Sequence, residues 1–331
     1  MLNKAKQERL IWLDIIITLI TSQIMAYFYY GLRSAVVAGT AIVTAAAAEL
    51  VCLRLMEKKF TADDLTCTSD AMILALMLPA VIDYKILTIA CVFAIVVAKN
   101  IFGGRKNMIF SPAAAGYVFM LTSWKSQVLQ FTEPHVHTGV FEKATNLVSS
   151  ASHTFNISGK LDYSNFELLM GNFTGPAGSA YVLLLGVSAL ILLFRRDISA
   201  GAFIGSIGGT VLMSVLSPTA DTLRTSVKYA LITNMVLYAS VYIVADKRIA
   251  PRKDYYAFFY GLFIAIVSYI VVLTMAKENA IIIVSLLFTP VALAFKNLEK
   301  RIEKIDKEQN GEELTQVTSD LNKEEEAGII A

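Results

Sequence analysis

Long apolar stretches recur along the chain, and they constrain its fold more than any other feature. Apolar residues make up 56% of the 331 residues and charged ones only 17%, a balance typical of a membrane protein. An α-helix needs roughly 20 apolar residues to cross a bilayer. Runs that reach or approach this length lie at 11–31, 34–56, 86–103, 175–194, 199–217, 228–245, 254–275 and 279–296.

Two shorter apolar runs, at 69–83 and 110–124, decide the topology. Pro79 breaks the first and Ser111-Pro112 opens the second, which favours short or broken helices. If both runs cross the bilayer, all basic clusters fall on one side together with both termini, as the positive-inside rule requires of the cytoplasmic face. These clusters are Lys4–Arg9, Arg54–Lys59, Arg105-Lys106, Arg195-Arg196, Lys247–Lys253 and Lys296–Arg301.

The sequence therefore predicts an all-α polytopic membrane protein with about ten transmembrane helices. Short segments at corresponding places, Ser69–Met72 and Thr233–Val236, indicate that the helices form two repeats of five. An odd number of helices inverts the second repeat, and in such folds short or broken helices of both halves form a site near the midplane. The alternative is a chance likeness of apolar segments. The predicted units are a first repeat at 1–124, an external loop at 125–174, a second repeat at 175–297 and a charged cytoplasmic tail at 298–331.

Few residues in the predicted helices have the chemistry of a site. Asp70 and Asp246 are the clearest candidates for contact with a cofactor or ion, because charges inside membrane helices are costly and usually functional. The alternative is a structural role for each. Asp70 would then stabilise the start of its helix, and Asp246 would pair with Lys247 or Arg248.

Other classes of site find little support in the sequence. The bilayer segments hold no His/Glu metal constellation and no Ser-His-acid set. His135 and His137 have the spacing of a metal pair but lack a third ligand nearby. The formal net charge of +2 and its even spread argue against nucleic-acid binding. We therefore expect no metal site and no catalytic residue.

The most unusual stretch is a glycine-rich turn before the fifth predicted helix. Gly103 and Gly104 let the backbone approach a ligand closely, and Arg105 and Asn107 add polar groups. Ser111 with the following proline caps a helix whose positive N-terminus attracts an anion such as a phosphate. The turn is therefore a candidate cofactor-binding segment.

These motifs resemble a known family. The family is the membrane subunit shared by the Rnf electron-transport complex (RnfD) and the sodium-pumping NADH:quinone oxidoreductase (NqrB). Three of its features, a short proline-ended helix, a GK..FGG...N.FNPA turn and the next helix, are similar to the stretch from Leu74 to Met120, LALMLPAVIDYKILTIACVFAIVVAKNIFGGRKNMIFSPAAAGYVFM. ELLMGNFTGPAGSAYVLLLGVSALILLFRR resembles the family's glycine-rich entry to its second half, and VADKRIAP resembles its ATDPVT.P segment. The shorter length favours RnfD.

The resemblance implies an electron-transferring subunit in the cytoplasmic membrane of a bacterium. Its partners would be the lipid bilayer and the other membrane and peripheral subunits of an Rnf-type complex, which couples redox between ferredoxin and NAD to Na⁺ or H⁺ movement. Family members carry FMN on a threonine of the external loop and can hold riboflavin noncovalently. Thr145, in Lys143-Ala144-Thr145-Asn146-Leu147, is the counterpart of that threonine, although Gly139, Glu142 and Lys143 depart from the family's D..[ST]G pattern.

Two alternatives from other classes remain. Inverted five-helix repeats with short central helices also describe urea-transporter-like proteins, so architecture alone does not separate a channel or transporter from an electron-transfer subunit. A family member without flavin would instead serve as a membrane scaffold for a redox partner. Bound flavin in the purified protein would separate electron transfer from both alternatives.

Overall fold

The computed structural model describes residues 4–58, 61–102, 104, 108–302 and 304–305. Within these residues every regular element is a helix, apart from one isolated bridge between Phe131 and Val148. This confirms the predicted all-helical class. Part of the turn predicted as a cofactor segment, namely Gly103, Arg105 and Asn107, lies outside the described residues, as does the end of the tail from residue 306.

The first half contains five main helices. They are α1 (Lys4–Tyr30), α2 (Leu32–Leu55), α3 (Thr66–Leu76), α4 (Tyr84–Phe93) and α5 (Pro112–Ser123). The helix α4 continues as a π-helix over Ala94–Ile101. The helix α3 ends at Leu76, earlier than the predicted run at 69–83, because Pro79 has no N–H to donate and restricts the residue before it.

The segment between the halves holds three short helices. These are α6 (Lys125–Val128), α7 (Ala151–Ser158) and α8 (Asn165–Met170). The next residues reach back to the first half, where Ala177 donates its N–H to Leu78 O at 3.1 Å and Gly178 donates to Leu76 O at 2.8 Å. These bonds satisfy carbonyls that the early end of α3 leaves without partners.

The second half has breaks in two of its helices. It comprises α9 (Val182–Phe194), α10 (Ala200–Leu216), α11 (Leu223–Ile232), α12 (Val236–Ala239), a π-helix over Ser240–Val244, α13 (Asp254–Met275), α14 (Ala280–Leu287) and α15 (Thr289–Ile302). The chain bends by 54° between α11 and the α12 segment, where Asn234 and Met235 are left-handed, and by 45° between α14 and α15. The tail thus begins as helix.

In the described part of the chain, four helices are long and apolar enough to cross a membrane. They are Arg9–Tyr30, Leu32–Leu55, Tyr84–Ile101 and Asp254–Met275, and the number rises to six if each bent pair is one span. The apolar helices α3, α9 and α10 coincide with predicted runs but are shorter than a full crossing. The chain is therefore a membrane protein, while the count of about ten and the inverted repeat stay predictions.

The closest helix packing is between α10 and α13. A Cβ atom at Gly205 would lie 2.1 Å from Phe258 O, and one at Gly261 would lie 2.2 Å from Ala202 O. Glycine is therefore required at both contacts. Small residues that let helix backbones approach closely are characteristic of membrane helix interfaces, where packing rather than apolar burial drives association.

Candidate functional site

The helix bundle has two polar ends with different chemistry. At the charged end, carboxylates pair with Arg195 and Arg248. At the loop end, the segment 125–174 covers the turn between α1 and α2 and the turn between α3 and α4. The predicted topology makes the charged end cytoplasmic and the loop end external.

Asp70 and Asp246, the two carboxylates predicted as candidates, meet at Arg248. The Nη2 and Nη1 atoms of Arg248 donate to Asp70 Oδ1 and Oδ2 at 2.6 and 3.1 Å, and Nε donates to Asp246 Oδ2 at 2.9 Å. The side chain of Asp70 is only 1% exposed. Burial would lower the pKa of Arg248, but the charges of Asp246 and Asp70 outweigh it and raise that pKa well above its usual value. Arg248 therefore stays charged.

This trio joins the two halves of the chain. Asp70 lies in α3, whereas Arg248 and Asp246 lie in the turn after the π-helix of the second half. Lys296 of α15 adds a hydrogen bond from Nζ to the carbonyl of Arg248 at 2.7 Å. Asp246 is thus ion-paired with Arg248, as its structural alternative expects. Both carboxylate oxygens of Asp70 also accept hydrogen bonds from Arg248. The geometry gives both carboxylates a positioning role.

A second ion pair links the halves at the same end. Arg195, after α9, places Nε 2.7 Å from Asp14 Oδ2 of α1 and 3.8 Å from Asp197 Oδ2. Burial, followed by the hydrogen bond and charge of Asp14, raises the pKa of Asp197 to about 6. The side chain of Lys247 donates to the carbonyl of Arg196 and so connects this pair to the Arg248 turn.

Sequence reasoning missed a third charged group at this end. Lys99 is fully buried and places Nζ 2.8 Å from Glu49 Oε1. Asn100 donates to Glu49 Oε2 at 2.8 Å and to the carbonyl of Ile95 at 3.0 Å, an acceptor five residues back in the π-helix. The sequence does carry a signal for this pair. One long apolar run contains a single acid, Glu49, and another contains a single base, Lys99, and such isolated charges predict a buried pair.

The described part of the glycine-rich turn lies beside the second half. Gly104 is left-handed, with φ 71°. Ser111 caps α5 by accepting from the N–H of Ala114 at 3.4 Å, as predicted for a helix start, and Pro112 occupies the first turn. Ser111 also lines a narrow cleft with Ser285 and Thr289, on either side of the break between α14 and α15.

The loop end is held by a buried arginine that has carbonyl partners instead of carboxylates. Arg33, at the start of α2, donates from Nη1 to Gly139 O at 3.1 Å and to Glu142 O, and from Nη2 to Val81 O at 3.0 Å. Tyr84 adds a hydrogen bond from its hydroxyl to Val140 O at 2.7 Å. These contacts fix the loop to the α1–α2 and α3–α4 turns.

Thr145 follows this anchored stretch and is exposed. Phe131 and Val148 exchange backbone hydrogen bonds at 2.9 and 2.8 Å, which closes the loop beyond it. His135 stacks on Tyr29, with ring centroids 4.7 Å apart. Thr145 therefore lies on a segment that is fixed on both sides, with its side chain at the surface.

A buried carboxyl lies under the same loop. Glu278, between α13 and α14, is 6% exposed and accepts a hydrogen bond from the hydroxyl of Ser150, the N-cap residue of α7. Burial raises the pKa of Glu278 to about 8. Tyr117 of α5 and Asn279 lie beside it. No metal site with three or more His, Cys, Asp or Glu ligands occurs in the described part of the chain.

Comparison with known proteins decides the family. The model of the NQR2, RnfD, RnfE family matches residues 2–295. The chain belongs to this family. The match covers both polar ends and the loop, and it confirms the resemblance drawn from the Leu74–Met120 motifs.

Curated relatives of this family member are the D subunits of ion-translocating complexes. The D subunit of the ion-translocating oxidoreductase complex of Colwellia psychrerythraea is 30% identical over 47% of this chain and 45% of its own length. The D subunit of the Na(+)-translocating ferredoxin:NAD(+) oxidoreductase complex of Acetobacterium woodii is 26% identical over 56% of this chain and 58% of its own length. The D subunit of the ion-translocating oxidoreductase complex of Ectopseudomonas mendocina is 23% identical over 68% of this chain and 70% of its own length. The matches to the first two thus span about half of those relatives.

Proposed function

We propose that this chain is the RnfD-like membrane subunit of an ion-translocating electron-transport complex. In that complex it passes electrons through flavin and helps couple redox between ferredoxin and NAD to Na⁺ or H⁺ movement. The observation that carries the proposal is the family match over residues 2–295. The name of the Acetobacterium relative supports the ferredoxin and NAD part.

Thr145 is the proposed attachment point for FMN. A phosphoester requires an accessible hydroxyl, and Thr145 is exposed in a loop that Arg33 and the Phe131–Val148 pair hold in place. The position therefore fits covalent attachment. The flavin would supply the redox chemistry, and the chain would fix its distance from the bilayer and exclude it from the helix core.

A second, noncovalent riboflavin fits this structure less well. The cleft beside Ser111 has essentially no space for even a water-sized group, whereas small-molecule pockets begin at roughly 300 Å³. The carboxylates of the candidates Asp70 and Asp246 accept hydrogen bonds from Arg248, and neither residue lines this cleft. We therefore assign those carboxylates to holding the halves together.

The test is in-gel flavin fluorescence of the denatured chain, expressed in its own host, beside Thr145→Ala. A fluorescent wild-type band and a dark variant band, at equal protein amounts, are expected. Thr122→Ala is a matched control, because Thr122 is also an exposed threonine near this end and should leave fluorescence unchanged.

A dark wild-type band would contradict covalent attachment. The absorption spectrum of the native protein then separates the remaining functions. Flavin absorption would retain electron transfer through a noncovalent group, whereas a spectrum without flavin would favour the scaffold or the urea-transporter-like alternative.

A further inference from the structure

A cleft at the loop end lies outside the proposed flavin segment. It has a volume of about 430 Å³ and lies between the short helix α8 and the first half of the bent pair, α11. Its polar wall consists of Asn165, Arg224, Thr225 and Lys228. The volume falls in the range of pockets that bind small molecules or headgroups.

The cleft carries two positive charges from one face of α11. Arg224 and Lys228 are one helical turn apart. Lys228 donates from Nζ to Asn165 Oδ1 at 2.9 Å and lies 4.4 Å from the centre of the Tyr229 ring. Among the described residues, neither cation pairs with a carboxylate. The charge of the cleft is therefore available to an anion.

Nearby acids are engaged elsewhere. Asp221, just before α11, lies 3.8 Å from Lys160 Nζ. Glu167 on α8 accepts the N–H of Ser164 in a capping box, which holds its carboxylate at the start of that helix. The N-terminus of α11, capped by Thr222, adds the positive end of a helix dipole beside Thr225.

Apolar side chains surround these cations at the surface. Leu169 lines the cleft and is 44% exposed, and Phe166 on the same helix is 69% exposed. Leu223, next to Arg224, is 53% exposed. An amphipathic segment with cations and exposed apolar residues is typical of the interface between water and acyl chains. A soluble anion would use the cations alone and would leave this apolar rim in water.

We propose that the cleft binds the phosphate headgroup of an anionic glycerophospholipid in the outer leaflet. Arg224 and Lys228 hold the phosphate oxygens, Thr225 donates a hydroxyl hydrogen bond, and the acyl chains lie along Phe166, Leu169 and Leu223. The positive-inside rule makes paired cations scarce on the external side, so this pair is an unusual feature of that face. This inference rests on the predicted orientation and not on the flavin.

The test measures lipid binding to the purified full chain by native mass spectrometry in neutral detergent. Phosphatidylglycerol and phosphatidylcholine are titrated separately, and inorganic phosphate is added as a competitor. Wild-type protein should retain phosphatidylglycerol preferentially. The double variant Arg224→Gln/Lys228→Gln should bind it at least about 10-fold more weakly, because the variant lacks both positive charges of the cleft.

Lys125→Gln provides the matched control. Lys125 is exposed at the same end but does not line the cleft, and this variant should bind like the wild type. Equal phosphatidylglycerol retention by the wild type and the double variant would overturn the proposal. Displacement of phosphatidylglycerol by millimolar inorganic phosphate would also overturn it, since the cleft would then be a site for soluble anions.

Discussion

The two polar ends of the bundle each hold an arginine among buried groups, but they use it differently. At the charged end Arg248 pairs with the carboxylates of Asp70 and Asp246 and so joins the halves. At the loop end Arg33 donates to neutral carbonyls and so holds a loop. A paired charge whose partner is lost leaves a buried ion, whereas a lost carbonyl donor leaves only an unpaired acceptor. The charged end therefore resists separation of the halves more strongly.

The largest effect is expected from Arg248→Gln. The change leaves Asp70, which is nearly fully buried, without its counter-ion, and such losses cost about 3–5 kcal/mol. The thermal unfolding midpoint of the purified protein should fall by several degrees. Arg252→Gln, at an exposed arginine four residues on, is the control and should change little.

A double variant sharpens this prediction. Asp70→Asn combined with Arg248→Gln removes the more deeply buried carboxylate charge together with its counter-ion and should recover part of the lost stability, while Asp246 alone keeps an unpaired charge. If the double variant is less stable than Arg248→Gln alone, the pair does not act as the described clamp.

A smaller and more local effect is expected from Arg33→Met. The change removes the donor to the carbonyls of Val81, Gly139 and Glu142, and loss of these bonds is expected to weaken the loop by about 2 kcal/mol. Trypsin should then cleave after Lys143, which is exposed, about 10- to 30-fold faster than in the wild type.

Two control variants show whether this change in proteolysis is specific to the loss of Arg33 and independent of the charged end. Lys85→Met, at an exposed lysine of the loop end, should leave cleavage unchanged. Arg248→Gln should also leave it unchanged under conditions in which the protein stays folded. Faster cleavage after Lys143 in Arg248→Gln would mean that the two ends are coupled and not independent.

The loop end is expected to lose stability as pH rises, because of the buried carboxyl of Glu278. The pKa of Glu278 is raised to about 8 in the folded protein, so folding favours its protonated form. Its contribution to stability is fully present below the ordinary value of 4.5 and is lost as pH rises through 8, at up to about 1.4 kcal/mol per pH unit. Glu278→Gln should flatten the decline of the unfolding midpoint between about pH 5 and 8. Glu133→Gln changes an exposed glutamate at the same end, and this variant should show the same decline of the unfolding midpoint as the wild type.

The sequence predicts the parts of the charged end but not their assembly. Asp70 and Asp246 stand out because charges are rare next to apolar runs, and the structural alternative for Asp246, pairing with a neighbouring base, agrees with the structure. The meeting of Arg248 with Asp70 joins positions 178 residues apart. It depends on how the two halves pack, which no local pattern encodes.

Helix breaks were predictable only where proline causes them. Pro79 explains the early end of α3. The bend at Asn234 and Met235 and the π-helices over Ala94–Ile101 and Ser240–Val244 contain no proline, and they depend on tertiary packing. The buried Glu49–Lys99 pair was missed because its two residues lie in different apolar runs, 50 positions apart.

External presentation of Thr145 is the claim on which the proposed function depends most. It can be tested by labelling Thr145→Cys in intact cells with a membrane-impermeant maleimide, beside Lys300→Cys, which lies on the exposed surface of α15. The native Cys52, Cys67 and Cys91 are buried and should give little background. The predicted result is labelling of Thr145→Cys in intact cells and of Lys300→Cys only after permeabilisation. Labelling of Lys300→Cys but not Thr145→Cys in intact cells would contradict it.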